Sequence, residues 1–276
     1  MITLRQTQYV NEMFAKFLPK DHAKLWKLPV GGDEESLKAF MELAPAGTDA
    51  EAQQTLKDGY MSIIGAILWV SQMTRPDVAF HTAFLAKLMQ RPSKAAFSAA
   101  LGVICYLERT SAMGLTYGVD EGMSTYADSS FGRSPRPMAG HVVMYGGAAL
   151  SWAAKALKIV PLSSAEAESA VLSLGCKDLM YVKQLVAELR PGRIPPRVPV
   201  HTDNTAAIDI IKAVGVTGRT KHFERWITYV RDLYHRYIVD VKYTPTDEMP
   251  ADIFTKALGA EKFKQFRSFL LNVNGA

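Results

Sequence analysis

The stretch LSSAEAESAVLSL, residues 162–174, decides how the rest of the chain is read. A Ser-rich start, two carboxylates two residues apart and a run of Ala, Val and Leu predict a helix whose first turns carry acid. Ser163 followed three residues on by Glu166 has the form of a capping box, with Ser163 as the cap and the Glu166 side chain returning to the cap's own backbone N–H. Helical spacing separates the two glutamates. Glu166 shares a face with Ala170, Ser173 and Lys177, a mostly polar stripe, whereas Glu168 shares one with Val171, Leu172, Gly175, Leu179 and Val182, the stripe that must pack on a sheet. A carboxylate on that stripe is costly unless paired, and a cluster of metal ligands pairs it.

Three other carboxylates belong with Glu168. Asp128 follows a short β-prone run in STYADSSFG, Asp203 closes the alternating strand of VPVHTDNTAAI, and Asp252 opens a helix in MPADIFTKAL. Each alone also reads as a turn or cap residue. Together they form a set of oxygen ligands for hard Mg²⁺ or Mn²⁺, two of which about 4 Å apart activate water and stabilise a leaving phosphodiester oxygen.

Composition allows this reading without requiring it. The 276 residues are 48% hydrophobic, enough for a sizeable core in one large domain or two modest ones. The net charge of +5 fits a polyanionic partner and equally fits many ordinary globular proteins. Two cysteines, Cys105 and Cys176, make neither a disulfide framework nor a zinc site, so a reducing, intracellular setting is expected. Neither a signal peptide nor a membrane span is expected, because the longest apolar run, residues 63–70, is too short.

In chain order, the apolar spacing predicts a helix over 6–18 closed by Pro19, then an extended connection over 20–59 with one short helix after Glu34. Helices are expected over 60–70, 77–90 and 93–109, with Arg75-Pro76 between the first two. Arg75, Lys87, Arg91, Lys94 and Arg109 give this bundle a candidate basic flank. Short β runs at 125–127, 141–145, 150–153 and 157–162 read as an antiparallel meander turning at Gly146-Gly147. The acidic helix then runs to about Leu189. It is followed by a strand at 198–202, a helix at 205–212, a long helix at about 223–237, a strand at 238–243 and a last helix from Ala251. The layout is α/β with a mixed sheet.

YADSSFG, ALSWAAKA, LSSAEAES, HTDNTAAI, GRTKHFERW and PADIFTKAL, in that order, resemble the ribonuclease H domain of a copia-type LTR retrotransposon Pol polyprotein. Upstream, ITLRQTQYV and YMSIIGAILWVSQMTRPDVAF, with residues 107–117, are similar to the end of its reverse transcriptase. The resemblance implies a ribonuclease H-like five-stranded mixed sheet with flanking helices. It divides the chain into a thumb-like helix and linker (1–58), a helical connection segment (59–118) and a ribonuclease H-like domain (119–276). It also implies a two-metal endonuclease that hydrolyses the RNA strand of RNA–DNA hybrids using Mg²⁺, with Mn²⁺ as an alternative. Asp128 would bridge both metals, Glu168 and Asp203 would hold the ion on the leaving-group side, and Asp252 would help hold the ion that activates water. The partners implied are the hybrid and the rest of the polyprotein, including the fingers, palm and integrase. The implied setting is a cytoplasmic virus-like particle or the nucleus.

Three departures stand out. The loop TPTDEMP before Asp252 lacks the histidine that relatives often carry there, Ser169 replaces the usual aromatic residue, and the loop after Asp128 is short and proline-rich. No YxDD-type pair of polymerase aspartates occurs, so the chain resembles the C-terminal part of a longer polyprotein and is not expected to polymerise DNA alone. In the basic segment VGVTGRTKHFERW, residues Arg219, Lys221, His222 and Arg225 read either as a solvated face or as phosphate contacts with salt-dependent affinity. The alternative function is an inactive or domesticated nucleic-acid-binding remnant of the same fold.

Overall fold

The computed structural model describes residues 1–18, 28–119, 122–132, 136–192, 194–213 and 224–273. It divides into two compact units, one formed by Tyr117–Lys256 with Met1, the other by Ile2–Thr116 together with Ala257–Ala276.

The sheet unit holds β3 (Met123–Ser129), β4 (Met138–Tyr145), β5 (Ala148–Ala156), β6 (Val198–Thr202) and β7 (Val239–Tyr243). Their order across the sheet is β5-β4-β3-β6-β7. The first three strands pair antiparallel, while β6 runs parallel to both β3 and β7. The sheet is five-stranded and mixed, the layout that the sequence pattern predicts. Gly146 and Gly147, at φ +63° and +87°, supply the left-handed conformations that a two-residue hairpin turn from β4 to β5 requires.

Because β3 and β6 are parallel neighbours, their carboxyl ends leave the sheet at the same edge, where α/β sheets bind ligands. Helix α7 (Ser164–Leu189) crosses over from β5 to β6. Its stripe of Glu168, Val171, Leu172, Gly175, Leu179 and Val182 is buried. At Gly175 a Cβ would stand 3.3 Å from Thr125 Cγ2 and 3.4 Å from His141 Cβ, so the missing side chain lets the helix lie close on the strands. One turn further, the buried His141 Nε2 lies 2.7 Å from Asp178 Oδ2 and pins the helix to β4. The helices α8 (Thr205–Lys212) and α9 (Glu224–His235) complete the unit. Asn204 caps α8, its Oδ1 accepting from Ala207 N at 2.9 Å.

The second unit is helical: α1 (Thr7–Phe17), α2 (Glu34–Met41), α3 (Asp49–Lys57), α4 (Tyr60–Met73), α5 (Ala79–Ala86), α6 (Lys94–Arg109) and α10 (Ala260–Leu271). A two-stranded ribbon, β1 (Ile2–Leu4) with β2 (Leu115–Tyr117), was not expected from sequence. Arg75 and Asp77 form a buried bidentate pair, Nε to Oδ1 at 2.9 Å and Nη2 to Oδ2 at 2.8 Å. Tyr106 OH also donates to Asp77 Oδ2, and Arg267 of α10 reaches the same hydroxyl at 3.4 Å. Phe263 of α10 packs edge-on against His81 and Tyr106. The final helix thus shares the core of the N-terminal helices, whereas the resemblance runs the ribonuclease H-like domain through 119–276.

Several expected elements differ. Among its described residues the connection over 20–59 holds two helices, α2 and α3; the second buries only Ala52 and Thr55, and its signal is the Thr48 cap, whose Oγ1 accepts from Glu51 N. The second bundle helix starts with a short 3₁₀ turn at Pro76–Val78 and ends at Ala86. Residues 157–162 are no strand: the ladder ends at Ala156, Leu157 is buried, and Val160 and Leu162 are exposed. In place of a helix from Ala251 there is a 3₁₀ turn, Pro250–Phe254, before α10. Arg75 is buried against Asp77 and contributes nothing to a basic flank.

Two glycines test these close approaches. A Cβ on Gly140 of β4 would meet Phe254 Cβ at 2.6 Å, Thr255 Cγ2 at 2.7 Å and Ala251 O at 3.0 Å, whereas one on Gly65 of α4 would meet nothing within 4 Å. Gly140→Ala is expected to destabilise the chain by about 1–3 kcal/mol through overpacking, and Gly65→Ala to stabilise it by about 0.5–1 kcal/mol. Urea denaturation of both variants reads the contrast.

Candidate functional site

Asp128 lies near the end of β3, directly opposite Gly140 of β4 in the ladder. The Gly140 backbone admits the Pro250–Phe254 turn, which brings Asp252, Thr255 and Lys256 to the same edge of the sheet. Asp203 follows the last residue of β6, and Glu168 comes down from the second turn of α7. Asp128, Glu168 and Asp203 each offer a carboxylate oxygen within 4.8 Å of the others. Asp128 and Glu168 are 3% and 4% exposed, Asp252 is fully buried, and Asp203 is half-buried.

Hydroxyls and one backbone N–H orient these carboxylates. Ser129 donates to Glu168 Oε1 from its backbone N at 3.1 Å and its Oγ at 2.7 Å, and Thr202 Oγ1 donates to Oε2 at 3.5 Å. Thr246 Oγ1 donates to Asp203 Oδ2 at 2.7 Å, and Thr255 Oγ1 donates to Asp128 Oδ2. Lys256 Nζ stands 2.9 Å from Asp252 Oδ1. Sequence reading missed all of these residues. Thr202 carried a signal, since strand alternation places it on the α7 side of β6 one residue before Asp203. Thr246 lies in the loop without the histidine and holds Asp203 from there.

The electrostatics follow from packing like charges out of water. Burial first, then the Asp252 charge, pushes the Asp128 carboxyl up to about 7, against the opposing pull of Lys256 and the Thr255 hydroxyl. Burial and the Asp128 charge raise Glu168 well above the ordinary carboxylate range, although Ser129 favours its ionised form. Burial works against the Lys256 ammonium, but Asp128 and Asp252 outweigh it and hold its pKa above the ordinary lysine value. An edge lined by oxygen donors, two of them shifted toward the protonated form for want of positive charge, fits a hard divalent cation.

Glu166 is placed differently from Glu168. Ser163 Oγ accepts from Glu166 N at 3.2 Å, and Glu166 Oε2 accepts from Leu162 N at 2.7 Å, one residue before the N–H that a standard capping box would use. Its face of the helix is also less polar in practice than its residue types suggest. Glu166, Ala170 and Ser173 are all buried, and only Lys177 is exposed, its ammonium lying over the Trp226 and Tyr229 rings. Of the four basic candidates, Arg225 is exposed on α9, while Arg219, Lys221 and His222 lie outside the described residues.

No protein-family model matches the chain. It is 28% identical over 265 residues, 95% of its own length, to the retrovirus-related Pol polyprotein from transposon TNT 1-94 of Nicotiana tabacum. It is 32% identical over 115 residues, 40% of its length, to a putative transposon Ty5-1 protein of Saccharomyces cerevisiae. The chain spans 19% of the length of the first relative and 37% of the second. Among solved structures, it is similar to the N-terminal RNase H domain of a Mycobacterium tuberculosis protein, with a TM-score of 0.35, 14% identity, and coverage of 53% of this chain and 96% of that one. No helix among the described residues is long and apolar enough to cross a membrane.

The raised pKa of Asp128 carries a stability consequence. The folded chain binds that proton more readily than the unfolded chain, so the group's favourable contribution is fully present below the ordinary carboxylate range and is lost as pH rises through about 7. Asp203, Asp252, Glu168 and Lys256 all face the same group. With chelator present, Asp128→Asn is expected to exceed wild type in stability by about 1–3 kcal/mol at about pH 8 and to lose that advantage at about pH 4. Chemical denaturation at the two pH values measures the difference.

Proposed function

We propose, from the similarity of this chain to retrotransposon Pol polyproteins, that its sheet unit is a ribonuclease H that hydrolyses the RNA strand of RNA–DNA hybrids. The observation that carries the reading is the convergence of Asp128, Glu168 and Asp203 oxygens within 4.8 Å at the carboxyl ends of two parallel strands, with buried Asp252 beside them. Asp128, Glu168, Asp203 and Asp252 would hold Mg²⁺ or Mn²⁺, which supplies the positive charge that activates water and stabilises the leaving oxygen of a phosphodiester.

The chain's own contribution is placement. Ser129 and Thr202 fix the two oxygens of Glu168, Thr246 fixes Asp203, and Thr255 fixes Asp128. The Ser129 donors favour the ionised form of Glu168 and the Thr255 hydroxyl that of Asp128, the forms that ligate. The charges of Asp252, Lys256 and Asp203 all act on Asp128, which would be among the ligands of the ion. Arg225, with Arg219, Lys221 and His222, would meet phosphates of the hybrid. The helical unit would correspond to the thumb and connection of the reverse transcriptase, working with the rest of the polyprotein.

The test is incubation of the purified chain with labelled hybrid, with Mg²⁺, with Mn²⁺ and with chelator. Cleavage of the RNA strand alone, and only with a divalent ion, is expected; chelator-resistant cleavage contradicts the proposal. Asp128→Asn and Glu168→Gln are each expected to reduce turnover at least about 100-fold. Glu166→Gln, which can still close the cap, is expected to keep activity and cost under about 1 kcal/mol. Hybrid binding without cleavage under every ion condition would favour the inactive binding remnant instead.

A further inference from the structure

The stretch from Asp252 to Lys256 delivers three groups to one edge of the sheet. Asp252 contributes a fully buried carboxylate, Thr255 a hydroxyl on Asp128, and Lys256 an ammonium 2.9 Å from Asp252 Oδ1. The last two backbone N–H groups both bond to Asp252 O, Thr255 N at 3.1 Å and Lys256 N at 3.2 Å, so the ammonium is tethered to the carboxylate by one tight turn. Its side chain is 24% exposed and that of Asp252 is 0% exposed. The cluster with oxygens within 4.8 Å of one another contains Asp128, Glu168 and Asp203 but not Asp252. Asp252 faces the ammonium.

From this arrangement we propose that Lys256 is the resident counter-cation of the carboxylate edge, and that a divalent ion reaching Asp252 has to displace the Lys256 ammonium from it. The inference rests on the metal-site reading above and deepens it. Without an ion, a buried carboxylate among like charges has no solvent to screen it, and a tethered ammonium stabilises it. With an ion present, the same ammonium is a like charge at close range and opposes binding. Lys256 therefore stabilises the metal-free fold while weakening the affinity for the ion. It is a positioning residue, acting on the ligand Asp252.

Calorimetric titration of Ca²⁺ and Mn²⁺ into wild type, Lys256→Met, Lys256→Gln and Lys256→Arg, with no nucleic acid present, tests this without relying on turnover. Methionine keeps the apolar stem, glutamine keeps a donor toward Asp252 and lowers the chance of a folding failure, and arginine keeps the charge. The Met and Gln variants are expected to bind the ions about tenfold more tightly, and the Arg variant to stay within about threefold of wild type. In chelator the Met variant is expected to melt below wild type, with the deficit closing as Mn²⁺ is added. Unchanged or weaker binding by both neutral variants overturns the inference while leaving the metal site standing. Absence of binding by wild type and all three variants overturns the metal-site reading and this inference with it.

Discussion

Mutual repulsion among buried carboxylates is the constraint on which the sheet unit depends. Asp128, Glu168 and Asp252 are almost entirely removed from water, and Asp203 closes the group from one side. Such a cluster is unfavourable by itself, which raises the Asp128 and Glu168 pKa values, and the chain reduces the cost with hydroxyl donors and one ammonium. None of these removes the demand for positive charge. A fold that holds this edge together gives up some stability to do so, and a bound cation would restore it.

The backbone bears the burden of holding that edge. The parallel pairing of β3 with β6 sets two carboxylates side by side, and the crossover through α7 swings a third over them. Two glycines make the approach close enough: Gly175 seats α7 on the strands, and Gly140 lets the 250–254 turn press against β4. The His141 and Asp178 pair lies on the α7 side of β4 and resists rotation of the helix. A rotation of about 100°, one residue of helix, would carry Glu168 off the sheet and dissolve the cluster.

Much of this was legible in the sequence because it rests on local periodicity. The 198–202 and 205–212 elements match their apolar patterns residue for residue, and the position of Glu168 on the packing stripe of its helix follows from spacing alone. What escaped was set by tertiary contact or by weak amphipathicity. Helix α3 buries too little to show a period, and residues 157–162 are apolar enough to pass for a strand but have no ladder partner. The roles of Thr255 and Lys256 depend on the 3₁₀ turn lying against Gly140, and that of Thr246 on its loop meeting Asp203, neither of which a local pattern announces. The joining of α10 to the N-terminal helices is a long-range choice made by Phe263 and Arg267.

The most direct test of the central claim is the melting temperature of the chain as Mn²⁺ is titrated from chelator into the millimolar range, with no nucleic acid present. If the buried carboxylates are held together for a divalent ion, wild type gains stability steadily with the logarithm of ion concentration once the site begins to fill, and Asp128→Asn gains little. A melting temperature in wild type that is indifferent to the ion would contradict the account.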